Sequence, residues 1–318
     1  MQEQVIKVGL IGLGNMGRNH LRVLSMLKGA ELSFVADVDA QVVAKVGASL
    51  GIPGMVDPTP LLGGVDAVII CTPTVTHADY IRMASSQVKN IFVEKPLAAT
   101  YEDAVTIASF SKEKGLNIQV GFIERFNPAV QSLRTVLGRT ERVISLDFTR
   151  TNKVSSRITD VDVITDLMIH DIDLALYLNG PAKSVAAHGF GHGTMIDFAS
   201  ALITHQNGRF SRIQASRITD KKIRQIEGTC VDMFVDCDLL RKEILISRQA
   251  EVKEGGGLPY AITAIQETVA VAPQEALLSE LQAFIAMCRQ PGSAQAPGVD
   301  AGVDAMKICA QIQAAVQT

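Results

Sequence analysis

The chain lacks the features that would take it out of the class of ordinary globular proteins. No apolar run approaches the roughly 20 residues a membrane-crossing helix needs. Met1-Gln2-Glu3-Gln4 runs straight into Val5-Ile6-Lys7-Val8, too short and too charged a start for a secretory leader, so the cytoplasm is the expected location. The five cysteines (Cys71, Cys230, Cys237, Cys288 and Cys309) are odd in number and no two stand at C-x-x-C spacing. Reduced thiols are expected, not a disulfide framework or a zinc ribbon. Neither sign of charge dominates: 30 Lys and Arg against 33 Asp and Glu leave a net charge of −3. That balance points to neither nucleic acid nor an anionic membrane as a partner. Internal repeats and low-complexity tracts are absent too.

What remains is a chain of 318 residues, 47% apolar and 20% charged. That is enough for about two domains with cores of their own. Over the first 125 residues apolar strands alternate with helical spacing. Strands are expected at Val5–Ile11, Leu32–Ala36, Ala67–Cys71, Ile91–Val93 and Ile118–Phe122. Helices are expected at Gly17–Leu27, Val42–Leu50, through Tyr80 and Met83, and at Tyr101–Lys114. Continuous apolar strands separated by helices predict a parallel sheet covered on both faces. Beyond Gly121 the rhythm changes. A short helix (Pro128–Leu137), a strand (Arg142–Thr149), a polar loop (Thr151–Arg157) and a helix from about Val161 to Leu178 lead into successive strands. Those are Ser184–Ala187, Ser200–Thr204, Phe210–Ser216, Gln225–Asp236 and Leu240–Ile246, broken by turn formers such as Asn207-Gly208, and they predict an antiparallel sheet. Helices Glu275–Met287 and Val303–Val316 flank a loop, Pro291–Gly302. The expected fold class is α/β, a Rossmann-like domain over 1–123 followed by a second domain over 124–318. The last helices are expected to pack back on the first domain.

Gly12-Leu13-Gly14-Asn15-Met16-Gly17 follows a strand and opens a helix, the context that gives G-x-G-x-x-G its meaning. Gly12 permits a tight turn, Gly14 lets a pyrophosphate approach the backbone, and Gly17 lets helix and strand pack closely. The start of the helix, at Asn15 and Met16, offers unpaired N–H groups to the anion. Asp37 ends the second strand, 20 residues after Gly17. A carboxylate there accepts from the ribose hydroxyls of NAD and repels the extra phosphate of NADP, so NAD is the expected cofactor. Asp39 is the more natural helix cap. Cys71-Thr72-Pro73-Thr74 lies at the carboxyl edge of the sheet, where ligands collect, and Thr72 and Pro73 are candidate cofactor contacts. Thr74 or Thr76 could cap the next helix or contact the cofactor. His77, in that helix's first turn, is either a cofactor contact or a surface histidine. Glu94-Lys95-Pro96 ends a strand at the same edge. Pro96 restricts the Lys95 backbone, and a cation there can orient a hydroxyl and stabilise the developing alkoxide.

Asp166 and His170 stand at i and i+4, with Asp173 at i+7, which puts all three on one helix face. A histidine with a carboxylate one turn away can be held in one tautomer and act as a general base. A surface ion pair, or a metal set of His170, Asp166 and Asp173, is the competing reading of the same spacing. His188, His192 and His205 are read as structural.

The glycine loop, Glu94-Lys95-Pro96 and Asp166-x-x-x-His170 together resemble the Gfo/Idh/MocA oxidoreductases, over about residues 5 to 180. Leu278, Glu280, Leu281 and Phe284 look like that family's closing helix. The resemblance implies a Rossmann domain followed by an α/β domain whose open, mostly antiparallel sheet forms a homodimer or homotetramer interface. It also implies Glu94 beside the cofactor, and a catalytic group of Lys95, Asp166 and His170 with His170 as base. A cis Lys95–Pro96 peptide is expected and no metal. Gly121-Phe122-Ile123-Glu124-Arg125-Phe126-Asn127-Pro128 and Ser156-Arg157-Ile158-Thr159-Asp160 resemble the branch that oxidises UDP-N-acetylated sugars at C3. That implies UDP-N-acetylglucosamine as substrate, Arg125, Asn127, Lys153 and Arg157 near its diphosphate, and Tyr260 against a uracil or sugar ring. A 3-keto product feeds an aminotransferase on the way to lipid A or a surface polysaccharide. A free polyol or sugar as substrate, glycoside hydrolysis through transient oxidation, a metal-dependent reaction, and a nicotinamide-binding sensor without catalysis are the alternatives.

Overall fold

Six parallel strands carry the first part of the chain: Ile6–Ile11 (β1), Ala30–Ala36 (β2), Gly54–Met55 (β3), Ala67–Ile70 (β4), Asn90–Glu94 (β5) and Asn117–Gly121 (β6). Their order is β3-β2-β1-β4-β5-β6, so strand order reverses between β1 and β4. All four residues of β4 are buried, as a central strand covered on both faces requires. The crossovers hold Asn15–Leu24 (α1), Ala40–Leu50 (α2), His77–Ala84 (α3) and Tyr101–Lys114 (α4). Asp39 caps α2 by accepting from the Gln41 and Val42 N–H groups. Thr100 caps α4, and Gly115 ends it in the left-handed region at φ 60°. The computed structural model describes residues 4–153, 161–192, 195–249, 264–291 and 296–316.

By contacts the chain divides into two units, Met1–Ile123 with Glu275–Lys307 and Glu124–Gln274 with Ile308–Thr318. The second begins with Pro128–Leu137 (α5) and Val143–Lys153 (β7), then a π-helical turn, Ile164–Met168, that runs into Ile169–Asn179 (α6). Strands Ala182–His192 (β8), Met195–His205 (β9), Phe210–Ser216 (β10), Ile218–Cys230 (β11), Phe234–Asp238 (β12), Glu243–Gln249 (β13) and Ala264–Val269 (β14) follow. With β7 they form an eight-stranded sheet, ordered β14-β13-β12-β11-β7-β10-β9-β8. Every neighbouring pair is antiparallel except β7 and β10, which run parallel. Phe148, Ile213 and Ala201 are buried, while Leu202, Phe210, Phe234 and Leu245 are exposed.

The last helices are Ala276–Arg289 (α7) and Val299–Val316 (α8). Leu277, Leu281, Phe284, Ile285 and Met287 of α7 share one core with Val8, Leu10, Ile69 and Phe92 of the parallel sheet. Phe284 meets the Phe92 ring edge-on.

Several expectations need correction. The strand expected over Gln225–Asp236 is two strands, β11 and β12, joined by a turn at 231–233. The helix expected from Val161 starts as a π turn at Ile164. β7 continues through Lys153, so the start of the supposed polar loop is strand. Helix α8 begins at Val299, inside the expected loop, and β3 and β14 were not anticipated. No disulfide forms among the described residues, which include all five cysteines. Burial pushes the Cys237 and Cys288 thiols up to about 12. No helix among the described residues is long and apolar enough to cross a membrane.

Candidate active site

The glycine loop is built by backbone crowding. Gly12 has φ +94°, and a Cβ there would lie 2.6 Å from the Cys71 carbonyl oxygen. A Cβ at Gly17 would lie 1.9 Å from the Gly12 carbonyl oxygen, whereas one at Gly14 would meet nothing within 4 Å. Two glycines are therefore required by the fold, and Gly14 by whatever approaches the loop. The Leu13 N–H donates to Asp37 Oδ2 at 2.6 Å, and the Asp39 N–H to Asp37 Oδ1 at 3.0 Å. The carboxylate that ends β2 thus locks the loop that follows β1.

A cavity of about 650 Å³ opens where the strand order reverses. Gly12, Gly14, Met16, Asp37, Thr72, Pro73, Glu94 and Lys95 line it, all anticipated from the sequence. Val38, Cys71 and Tyr80 line it as well and were not assigned to it, and so does Thr76, read from the sequence as a cap or a cofactor contact. Asn15 is exposed at the start of α1 and Gly17 is buried behind the loop; neither lines the cavity. Thr76 does not cap α3 with its side chain. Its hydroxyl donates instead to the Pro73 carbonyl at 2.7 Å.

His77 is neither on the surface nor in the cavity. The residue is buried, with Nδ1 2.9 Å from the Pro96 carbonyl oxygen and Nε2 3.0 Å from that of Thr72. Burial pulls its imidazole below the usual range, against the pull of the Thr72 and Pro96 carbonyls. It braces the two loops that carry Thr72 and Lys95. The Lys95–Pro96 peptide is cis. Lys95 itself is half-buried.

Glu94 is buried and engaged on both oxygens. Oε1 lies 2.6 Å from Nε2 of His20, a fully buried residue of α1, and Oε2 accepts the Lys95 N–H at 3.2 Å. A Cβ at Gly121 would press on Glu94 Oε2 at 2.8 Å. Sequence reading missed His20, because it lies on the face of α1 where Leu24 carries the apolar pattern. It missed Glu280 in α7 as an electrostatic neighbour of Cys71 for the same reason.

In the second unit, Asp166 sits in the π turn and His170 in the first turn of α6, both half-buried. A π turn inside a helix is frequent at functional sites. Asp162 braces this one: its Oδ1 accepts from the Thr165 N–H at 2.8 Å, and its Oδ2 from Gln313 of α8 at 2.7 Å. Asp173 faces Arg125, whose Nε and Nη2 donate to its two oxygens at 2.8 and 2.6 Å. Asp173 is therefore part of a buried ion pair and not of a metal set. Next to it, Asp171 accepts from Arg150 at 2.7 and 2.9 Å, and Arg150 also donates to Glu124 at 2.9 Å. All three are buried.

The described residues expected to contact substrate have protein partners of their own. Arg125 is held bidentately by Asp173 and stacked over Tyr177, 4.7 Å from the ring centre. Asn127 is a buried helix cap: Oδ1 accepts from the Ala129 N–H, and Nδ2 donates to Glu124 and to the Leu239 carbonyl. Lys153 ends β7, exposed, 3.1 Å from Asp220. Arg157 and Tyr260 lie outside the described residues.

Two family profiles match this chain. An oxidoreductase NAD-binding Rossmann fold matches residues 6–122, and the Gfo/Idh/MocA C-terminal domain matches residues 135–229. The chain belongs to the Gfo/Idh/MocA oxidoreductase family. It is 31% identical over 284 residues, 88% of each chain, to UDP-N-acetylglucosamine 3-dehydrogenase of Acidithiobacillus ferrooxidans. It is 33% identical over 236 residues, 68% of each chain, to scyllo-inositol 2-dehydrogenase (NAD(+)) of Bacillus subtilis. A solved structure of the Acidithiobacillus enzyme superposes with a TM-score of 0.87 over 98% of both chains, at 29% identity. As a Gfo/Idh/MocA member the protein is an NAD-dependent oxidoreductase acting on a CH–OH group. The cavity fits that cofactor. The open side of Gly14 and the start of α1 suit a pyrophosphate, and Asp37 at the end of β2 suits the adenosine ribose.

Proposed function

We propose that the protein oxidises the C3 hydroxyl of a UDP-N-acetylated sugar, UDP-N-acetylglucosamine first. The observation that carries this reading is the match to UDP-N-acetylglucosamine 3-dehydrogenase, which runs through 88% of both chains. Lys95, Asp166 and His170 carry the chemistry. The Lys95 ammonium orients the reacting hydroxyl and stabilises the alkoxide character that develops on its oxygen. His170 takes the hydroxyl proton, and Asp166 holds the imidazole in the tautomer that can accept it. NAD, when bound, accepts the hydride. The ketone formed is the substrate class an aminotransferase consumes, which makes a transaminase on the route to lipid A or a surface polysaccharide the functional partner. A cytoplasmic location and a homodimer or homotetramer belong to the same proposal.

A second reading, oxidation of a free polyol, has its own support. An inositol dehydrogenase shares 33% identity over 68% of both chains, and Arg125, assigned to the diphosphate, is held by Asp173. A panel of UDP-sugars and inositols with NAD, followed by NADH absorbance with an aminotransferase present, separates the two. Turnover of UDP-N-acetylglucosamine without turnover of inositols is expected; the opposite pattern overturns the proposal. His170→Asn should lower turnover by about 10²- to 10⁴-fold with NAD affinity unchanged. Undiminished activity in that variant removes His170 from the reaction.

A further inference from the structure

Beside the dinucleotide cavity, three side chains of different chemistry meet. His20 from α1, Cys71 after β4 and Glu94 at the end of β5 bring a ring nitrogen, Sγ and a carboxylate oxygen within 4.8 Å of one another. His20 is fully buried, and its Nδ1 has no hydrogen-bond partner among the described residues. Cys71 and Glu94 also line the cavity. Imidazole, thiolate and carboxylate together form a borderline-soft donor set that suits zinc and ill suits magnesium or calcium. Tetrahedral zinc with bonds of about 2.0–2.3 Å sets its ligand atoms about 3.3–3.6 Å apart. His20 Nε2 and Glu94 Oε1 stand 2.6 Å apart and need only part slightly, while Cys71 Sγ, within 4.8 Å of the other two residues' ligand atoms, closes on the ion. Local charge favours a cation as well. The carboxylate of Glu280, a buried residue of α7, acts on Cys71 alongside that of Glu94.

We propose that His20, Cys71 and Glu94 form an inhibitory site for a thiophilic divalent cation, zinc first. The metal-free chain is the active form. On binding, Cys71 gives its thiol proton to water, and the His20 imidazole carries its proton on Nδ1 so that Nε2 can ligate. Glu94 turns from His20 and from the Lys95 N–H toward the ion. The ion brings positive charge to the wall that Lys95 shares and withdraws the carboxylate that fixes the Lys95 backbone. Three protein ligands leave a fourth position for water, as in open zinc sites.

The test uses the full-length, NAD-free protein. Equilibrium dialysis against zinc chloride with metal analysis should give one zinc per chain. Cobalt(II) should produce a thiolate-to-metal charge-transfer band. Both should be lost in Cys71→Ser and in His20→Gln, and kept in Cys288→Ser, a control at another half-buried thiol. Zinc should inhibit turnover, and EDTA should restore it fully. Absence of the cobalt band in the unsubstituted protein overturns the proposal, a result that does not depend on any variant folding. Zinc uptake that survives Cys71→Ser, or that is lost in Cys288→Ser, overturns it equally.

Discussion

A methyl group at either of two glycines should have opposite effects. At Gly17 it collides with the Gly12 carbonyl, so Gly17→Ala should cost more than about 2 kcal/mol and lower the melting temperature. At Gly14 it enters open space. Gly14→Ala should keep its melting temperature while KM for NAD rises by about tenfold or more, because the methyl stands where the pyrophosphate approaches. Calorimetry and initial-rate kinetics on the two variants separate a glycine needed by the fold from one needed by the ligand. Asp37 plays both parts. Asp37→Ser removes the acceptor of the Leu13 and Asp39 N–H groups, at a cost of about 1 kcal/mol for each bond. It also removes the charge that opposes a 2′-phosphate, so kcat/KM for NADP should rise relative to NAD by about tenfold or more. An unchanged cofactor preference would take Asp37 out of the ribose site.

Elements show where sequence patterns suffice. The bounds of α4, α5 and β10 are those read from the sequence, because each is marked locally. Thr100 and Gly115 bracket α4, Asn127-Pro128 opens α5, and Asn207-Gly208 turns the chain before β10. The parallel sheet was legible for the same reason, in apolar strands punctuated by glycine and proline. The π turn was not, since a shift from i+4 to i+5 bonding leaves no mark in side-chain spacing. The turn at 231–233 was hidden because its one turn former, Asp232, stands between apolar Val231 and Met233 with no glycine or proline to mark it. The ion pairs of Arg125 and Arg150 were not legible because their partners lie far along the chain, across 48 residues for Arg125 and across 21 and 26 for Arg150. A charge of this kind reads as solvated until its carboxylate is located. Arg150→Met leaves Asp171 buried without its cation and Glu124 with only the longer contact to Arg224, and should cost about 3–5 kcal/mol in urea unfolding.

The Arg125–Asp173 pair gives α6 a pH dependence with a definite sign. Burial pushes Asp173 up to about 6, against the lowering effect of Arg125, while an unfolded aspartate titrates near 3.9. Between those values the folded chain holds more protons than the unfolded one. Stability from this group therefore falls as pH rises from about 4 to about 6, by roughly 3 kcal/mol across the interval. Asp173→Asn should lack that slope. Comparing urea midpoints of the two proteins at each pH checks it, and parallel curves would show that Asp173 does not titrate there.

At the scale of the whole molecule, the eight-stranded sheet still exposes Leu202, Phe210, Phe234 and Leu245. Isolated apolar side chains on a surface are ordinary, but several on one sheet suit a second copy of the chain. Under the proposed assembly, the double variant Leu202→Glu, Phe210→Glu should elute as a monomer in size-exclusion chromatography with light scattering, its circular dichroism unchanged. An unaltered oligomer would place the interface elsewhere.

The contribution of α7 to the parallel-sheet core has a consequence for synthesis. Residues up to 123 leave the ribosome early, yet the wall that covers Phe92 begins at Leu277, some 150 residues later. The nucleotide-binding half thus waits, one flank bare, until α7 has been made. A nascent chain stalled after residue 274 should therefore recruit chaperones and resist NAD capture, whereas the released full-length product should do neither.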